Sequence, residues 1–138
     1  MSRFVLDASA VLALVLREGL NQVDSFFATL DDNDELLGPL LLFPECTSVI
    51  HEQVGKGRLT AAEAPGYLED ILRLNIRVTD DPGQFRGAIE FAGRLGHAKA
   101  YDAQYISAAV NENAELVTVD SGMRQAAINV KHAVRFLR

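Results

Sequence analysis

The chain has 138 residues, of which 49% are hydrophobic and 23% charged, a composition typical of globular proteins and not of disordered ones. Thirteen basic and 19 acidic residues leave a net charge of -6 at pH 7, which argues against a protein that holds nucleic acid through a basic surface alone. The single cysteine excludes an intrachain disulfide framework and suits a reducing compartment. The longest apolar run, residues 10–16, is too short to span a membrane, so we expect a cytoplasmic protein without membrane association.

Short apolar segments alternate with helical patterns along the chain. In chain order we predict a strand at 3–6, helices at 9–17 and 21–30, a strand at 36–40, helices at 44–54 and 60–72, a strand at 75–78, helices at 82–95 and 101–113, a strand at 115–119, a helix at 121–128 and a strand at 133–137. Pro44 is expected at the first position of its helix, and Pro65 should bend or delay the next one. This alternation predicts a three-layer α/β/α sandwich with a central, mainly parallel sheet. The length and the lack of a linker predict one domain, residues 1–138.

Four acidic residues stand where the predicted elements reach the carboxyl edge of this sheet. Asp7 and Asp120 follow predicted strands, and Glu45 and Asp102 lie in the first turns of predicted helices. Because ligands bind outside the carboxyl ends of the strands in such folds, the four side chains are expected to converge. Such a cluster cannot stay ionised without cations. Mg²⁺ or Mn²⁺ suits carboxylate and water ligands, whereas the chain has no Cys/His set for zinc.

Each acid also has a simpler interpretation. Asp7, Asp102 and Asp120 can each cap the helix that follows, and the helix dipole favours Glu45 near a helix N-terminus. Four acids in such positions, each beside an apolar segment, are harder to explain as unrelated caps.

Four blocks of the sequence fall in the order and spacing of PIN-domain nucleases. The blocks are Phe4 to Leu12, Pro44-Glu45, Ala100 to Ala103 and Leu116 to Asp120. Over essentially the whole chain, the sequence resembles the small VapC-type toxins of prokaryotic toxin–antitoxin pairs.

The resemblance implies a PIN-like fold, an activity, a set of site residues and partners. The catalytic and metal-binding residues would be Asp7, Glu45, Asp102 and Asp120, with Ser9 and Thr118 as supporting polar groups. The activity would be that of an endoribonuclease that depends on Mg²⁺ or Mn²⁺ and acts as the toxin of a type II toxin–antitoxin pair. Its partners would be an RNA substrate and a cognate antitoxin, and the protein would form a homodimer or a toxin–antitoxin hetero-oligomer.

Hydrolysis of a phosphodiester needs a hydroxide near neutral pH and stabilisation of the charge on the phosphorane and the leaving oxygen. A divalent ion held by Asp7, Asp102 and Asp120 would lower the pKa of its water and polarise the phosphate. A second ion, partly held by Glu45, would stabilise the leaving 3′-oxygen, and products with 5′-phosphate and 3′-hydroxyl ends would follow. The sequence leaves open whether one ion or two are bound.

Two other functions are compatible with these residues: a non-catalytic PIN-like binding module, and a metal-dependent phosphatase for small substrates. Asp80-Asp81 is similar to the acidic pair of a receiver domain, but Pro82 favours a helix cap. Cys46 has no histidine nearby in the sequence, so we interpret it as a small buried residue.

Two further groups of residues suggest contacts with other molecules. One helix face can present a surface to another chain; it consists of Val23, Phe26, Phe27 and Leu30. Hypothetical phosphate contacts, with an exposed solvated surface as the alternative, are Lys56, Arg58, Lys99, Arg124 and Lys131.

Overall fold

The computed structural model describes all 138 residues. Its elements in chain order are β1 (Arg3–Leu6), α1 (Ala8–Val15), α2 (Asn21–Ala28), β2 (Glu35–Pro39), α3 (Leu42–Gly55), α4 (Ala64–Leu72), β3 (Arg77–Thr79), α5 (Pro82–Leu95), α6 (Tyr101–Asn111), β4 (Glu115–Thr118), α7 (Ser121–Asn129) and β5 (Val134–Phe136). No helix is both long and apolar enough to cross a membrane.

The five strands form one sheet in the order β3-β2-β1-β4-β5, and every pairing is parallel. The central strand, β1, lies between β2 and β4, and Val5 pairs with Leu37 on one side and Leu116 on the other. All three of these side chains are fully buried, as expected for a parallel sheet whose connecting helices cover it. The predicted α/β sandwich is confirmed, and its sheet is entirely parallel.

The apolar face predicted for α2 belongs to the core of this chain. Val23 and Phe26 are buried, and the Phe26 ring meets the Phe4 ring edge to face with 5.0 Å between centroids. Phe27 is only partly buried but also packs against the core. Val23 and Phe26 are therefore core residues of this chain, whereas the half-buried Phe27 and Leu30 remain the part of this face that another chain could contact.

Pro44 and Pro65, which both lie near helix starts, behave differently. α3 begins at Leu42, two residues before the predicted start, so Pro44 is not its first residue. A proline fits anywhere in the first turn, where backbone N–H groups have no intrahelical partner, so the residue type alone does not set the start. Before α4, Thr60 and Glu63 form the reciprocal hydrogen bonds of a capping box. The helix itself begins at Ala64, so the delay predicted from Pro65 is confirmed.

Four charged side chains connect the amino ends of the strands. Arg3 contacts Glu35 at 3.0 Å and Glu112 at 2.6 Å, and Arg77 contacts the same two carboxylates at 2.6 and 3.2 Å. Each carboxylate thus joins two guanidinium groups, an arrangement that stabilises more than isolated surface pairs do. This network lies at the opposite end of the sheet from Asp7.

Glu35→Gln is expected to lower the free energy of unfolding by about 0.5–1 kcal/mol at neutral pH, and less at high salt. Arg77 and Arg3 hold the pKa of Glu35 below its ordinary value. The Glu35 contribution is therefore present above its unfolded pKa and is lost as the pH falls through its folded pKa. Urea denaturation at several pH values checks this. The control is Glu52→Gln, which removes one isolated, exposed pair with Lys56; equal losses in both variants would contradict a network effect.

Candidate active site

The fold brings the four predicted acids to the carboxyl edge of the sheet. Asp7 directly follows β1, and Asp120 lies just after β4, the neighbouring strand. Glu45 is in the first turn of α3, which follows β2, and Asp102 is in the first turn of α6. α6 packs against β1, β2 and β4 and leads back to the amino end of β4, so its own N-terminus lies at the carboxyl edge.

Asp7 is the most buried of the four, with 3% of its surface exposed. Its Oδ1 atom accepts hydrogen bonds from the Ser9 hydroxyl at 2.6 Å and from the Ala10 backbone N–H at 3.0 Å. Its Oδ2 atom accepts a short hydrogen bond from the Thr118 hydroxyl. Ser9 and Thr118, the two predicted supporting residues, therefore hold both oxygens of this carboxylate in place.

The electrostatics of Asp7 oppose its ionisation. Burial raises the pKa of its carboxyl above the ordinary value, the three hydrogen bonds partly offset this, and the negative charge of Asp120 raises it further. A carboxyl in such surroundings gains most from a nearby cation, because the cation compensates for lost hydration and for the repulsion.

Asp120 is exposed and caps α7. Its Oδ1 accepts from the Gly122 N–H at 3.2 Å and its Oδ2 from the Met123 N–H at 3.3 Å. The Asp120 backbone N–H in turn donates to the Thr118 hydroxyl oxygen at 2.9 Å. Capping is thus confirmed for Asp120, and also for Asp7 on α1, without excluding a second role. It is wrong for Asp102, since no side chain caps α6.

Glu45 is half-buried and has a partner that the sequence analysis missed. The Tyr105 hydroxyl donates to Glu45 Oε2 at 2.9 Å. Burial raises the pKa of Glu45, the Tyr105 hydrogen bond lowers it, and the charges of Asp102 and Asp7 raise it again. Tyr105 is itself 1% exposed. Two signals could have revealed this contact: Tyr105 lies three residues after Asp102, and a buried tyrosine hydroxyl needs a hydrogen-bond partner.

No basic side chain neutralises these acids, since every ion pair of the protein involves other carboxylates. The oxygen-only donor set and the raised pKa values of Asp7 and Glu45 fit a hard divalent cation in their chemistry.

The acids affect one another in pairs: Asp7 with Asp120, Asp7 with Glu45, and Glu45 with Asp102. No three His, Cys, Asp or Glu side chains lie close enough to form a ready-made metal site. The compact cluster expected from the sequence is thus not assembled in this structure.

Two other sequence interpretations are confirmed. Cys46 is fully buried, and burial, with smaller contributions from the charges of Glu45 and Asp7, raises the pKa of its thiol to about 12. The thiol therefore stays protonated and is no nucleophile. Asp81 caps α5 by accepting from the Gly83 N–H at 2.7 Å, so Asp80-Asp81 is a helix start.

Fold and site together define a parallel α/β protein with an acidic, oxygen-only site at the carboxyl edge of its sheet. The family model of the PIN domain matches residues 4–129. The chain belongs to the PIN-domain family, whose members are generally nucleases. No curated protein matches the chain.

Several solved structures share the fold. PAE2754 from Pyrobaculum aerophilum is 24% identical with a TM-score of 0.70, over 96% of this chain and 87% of its own. VapBC2 from Rickettsia felis, bound to a DNA fragment from its promoter, is 14% identical with a TM-score of 0.73, over 99% of both chains. VapBC-1 from nontypeable Haemophilus influenzae is 14% identical with a TM-score of 0.71, over 98% of both.

Proposed function

We propose that this protein is an endoribonuclease that depends on Mg²⁺ or Mn²⁺ and is the toxin of a type II toxin–antitoxin pair. The observation that carries the proposal is Asp7: a buried carboxylate, held by two hydroxyl groups and a backbone N–H, repelled by Asp120 and paired with no basic side chain. An unpaired buried charge is costly unless a ligand compensates it. Membership in the PIN-domain family supports a nuclease.

The residues that would hold the metal are Asp7, Asp102 and Asp120, with Glu45 as a further ligand. When bound, a divalent ion supplies a water of lowered pKa and positive charge at the phosphate oxygens. The raised pKa values of these carboxyl groups fit this role. Metal ions and protons bind to the same oxygens, so surroundings that favour a proton there also favour a cation.

The side chains around the acids would set their orientation. Ser9 and Thr118 hold the plane of the Asp7 carboxylate, so its free lone pairs keep one direction. Tyr105 fixes one oxygen of Glu45. The N-terminus of α7 holds Asp120 through two backbone N–H groups. Such outer contacts reduce the freedom that the acids would lose on binding an ion.

The proposed partners follow from the proposed role. The likeness to the VapBC proteins of two bacteria supports a cognate antitoxin as protein partner, in a homodimer or a toxin–antitoxin hetero-oligomer. RNA would be the substrate.

Asp120→Asn is expected to reduce RNA cleavage by about 10- to 100-fold, because the amide still caps α7 but carries no charge for the metal. Asp81→Asn is the matched control: Asp81 also caps a helix but lies outside the site, so full activity is expected. Cleavage of total RNA by the purified proteins is measured with Mn²⁺ and with EDTA, and the new ends are mapped. Equal activity of both variants would contradict a metal-binding Asp120.

The same assay separates the proposed function from its alternatives. Cleavage that depends on the metal and leaves 5′-phosphate ends is the expected result. No cleavage and no stabilisation by Mn²⁺ would indicate a non-catalytic binding module. Turnover of phosphomonoesters in place of RNA would indicate a phosphatase.

A further inference from the structure

A cleft of about 770 Å³ opens beside the acidic site, and Ser9 and Asp120 are among the residues that line it. Its apolar lining comes from α1, α3 and the segments that follow α1, α3 and β4, and consists of Leu12, Leu16, Val49, Leu59 and Val119. Two arginines, Arg58 and Arg138, also line it. The cleft therefore shares Ser9 and Asp120 with the candidate active site and combines an apolar lining with positive charge.

Neither arginine has a carboxylate partner. Arg58 only approaches the Gln53 side chain at 3.4 Å, and Arg138 only approaches the Val119 carbonyl oxygen at 3.4 Å. Most other arginines are engaged, either in ion pairs, as Arg3 and Arg77 are, or over phenyl rings, as Arg124 is. Two exposed guanidinium groups in one cleft thus keep their donors available for a ligand.

The acidic residues around the cleft make its positive charge important for the approach of a polyanion. Residues 18–55 contain eight acids and no lysine or arginine, and one of those acids, Glu18, lines the same cleft. A polyanion that approached the acids at the sheet edge would be repelled unless local cations received its phosphates. Arg58 and Arg138 are the cations that line the cleft leading to Asp120.

We infer that this cleft is a substrate subsite that receives the single-stranded RNA flanking the scissile phosphate. The guanidinium groups of Arg58 and Arg138 contact phosphates of the flanking nucleotides, and the apolar lining contacts ribose and base faces. A positively charged groove that follows the backbone is one element used to bind single strands without reading their sequence, and the apolar lining of this cleft is aliphatic. The inference rests on the proposed function, because it takes RNA as the substrate.

The test compares Arg58→Ala, Arg138→Ala and the double variant with Arg86→Ala. Arg86 is exposed on α5, forms no ion pair and lies outside the cleft, so it is a matched control. Binding of a fluorescent single-stranded RNA is measured in EDTA over a range of salt concentrations, and cleavage kinetics are measured with Mn²⁺. Thermal melting verifies that each variant is folded.

Each cleft variant is expected to weaken RNA binding by about two- to fivefold, as the loss of an exposed charge contact does. Each should also reduce the slope of log affinity against log salt by about 0.7, the value for one phosphate contact on a single strand. KM should rise while kcat stays within about twofold, because the contact is made equally in the ground and transition states. Arg58→Lys should retain the salt slope, since it retains the charge.

The outcomes separate the inference from the proposed function. If the wild type cleaves RNA and the cleft variants behave like Arg86→Ala, the subsite is overturned while the nuclease stands. If the wild type binds RNA with the expected dependence on Arg58 and Arg138 but never cleaves it, the subsite stands and the nuclease is overturned. If the wild type neither binds nor cleaves RNA, the subsite is overturned.

Discussion

Asp7→Asn is expected to abolish metal-dependent RNA cleavage and, at the same time, to make the metal-free protein more stable. The loss of activity follows from the charge. A metal ion supplies several kcal/mol of transition-state stabilisation, so removal of its most buried ligand should reduce the rate by about 10³-fold. Asparagine keeps the shape of the side chain and an oxygen that can accept the Ala10 N–H, which is bonded to Asp7 Oδ1 at 3.0 Å.

The gain in stability follows from the raised pKa. Burial and the Asp120 charge raise the pKa of Asp7 in the folded state. The Asp7 contribution to stability is therefore largest below the unfolded pKa and is lost as the pH rises through the folded pKa. Asparagine has no charge to lose, so the stability difference between Asp7→Asn and the wild type should open as the pH rises above about 4. It should stay constant at pH values above the folded pKa.

A divalent ion should reverse the order of stability, so that the wild type becomes more stable than Asp7→Asn. Mn²⁺ at about 100 times its Kd would stabilise the wild type by about 2.7 kcal/mol, whereas Asp7→Asn should gain much less. Thermal melting in EDTA and in Mn²⁺ over a pH series measures both effects. Asp7→Ala provides the contrast, because it leaves the donors of Ser9 and Thr118 without their partner and should destabilise by about 1–3 kcal/mol. A metal-free Asp7→Asn variant that is less stable than the wild type at neutral pH would contradict the stability prediction, and a folded variant with full cleavage activity would contradict the metal role of Asp7.

Tyr105→Phe is expected to lower cleavage by about 10- to 100-fold, the usual effect of losing an outer contact of a metal ligand. The phenyl ring retains the packing of this buried position, and only the hydrogen bond to Glu45 Oε2 is lost. We expect Tyr105 to act as a positioning residue through its hydrogen bond to Glu45.

The pH profile distinguishes this role from a merely structural one. The Tyr105 hydrogen bond lowers the pKa of Glu45 against the effects of burial and neighbouring charge. Its loss should therefore raise that pKa, and the acidic limb of the rate profile should move to higher pH, since Glu45 must be ionised to act. Tyr67→Phe is the control, because Tyr67 packs elsewhere, on α4. A uniform loss of activity at all pH values would contradict the proposed role of Tyr105.

Much of the fold could be predicted because its signals are local. The apolar pattern of Phe4 to Leu6, the cap at Asp81 and the delay at Pro65 each involve residues that are close together in the chain. The acids at the sheet edge could also be predicted, since a parallel sheet places all its strand ends on one side. The start of α3 could not, because several positions in a first turn accept proline equally well.

The site itself depends on contacts that no local pattern encodes. Glu45 and Tyr105 are 60 residues apart, and their hydrogen bond exists because α3 and α6 meet at the sheet edge. The chain order placed the four acids at that edge, but packing decided that they interact in pairs and form no ready-made group of three. It likewise decided that Arg58 and Arg138, 80 positions apart by their numbers, line one cleft. Periodicity, caps and strand ends are short-range properties and can be inferred from sequence, whereas distances between side chains depend on how the helices pack, which only the tertiary structure determines.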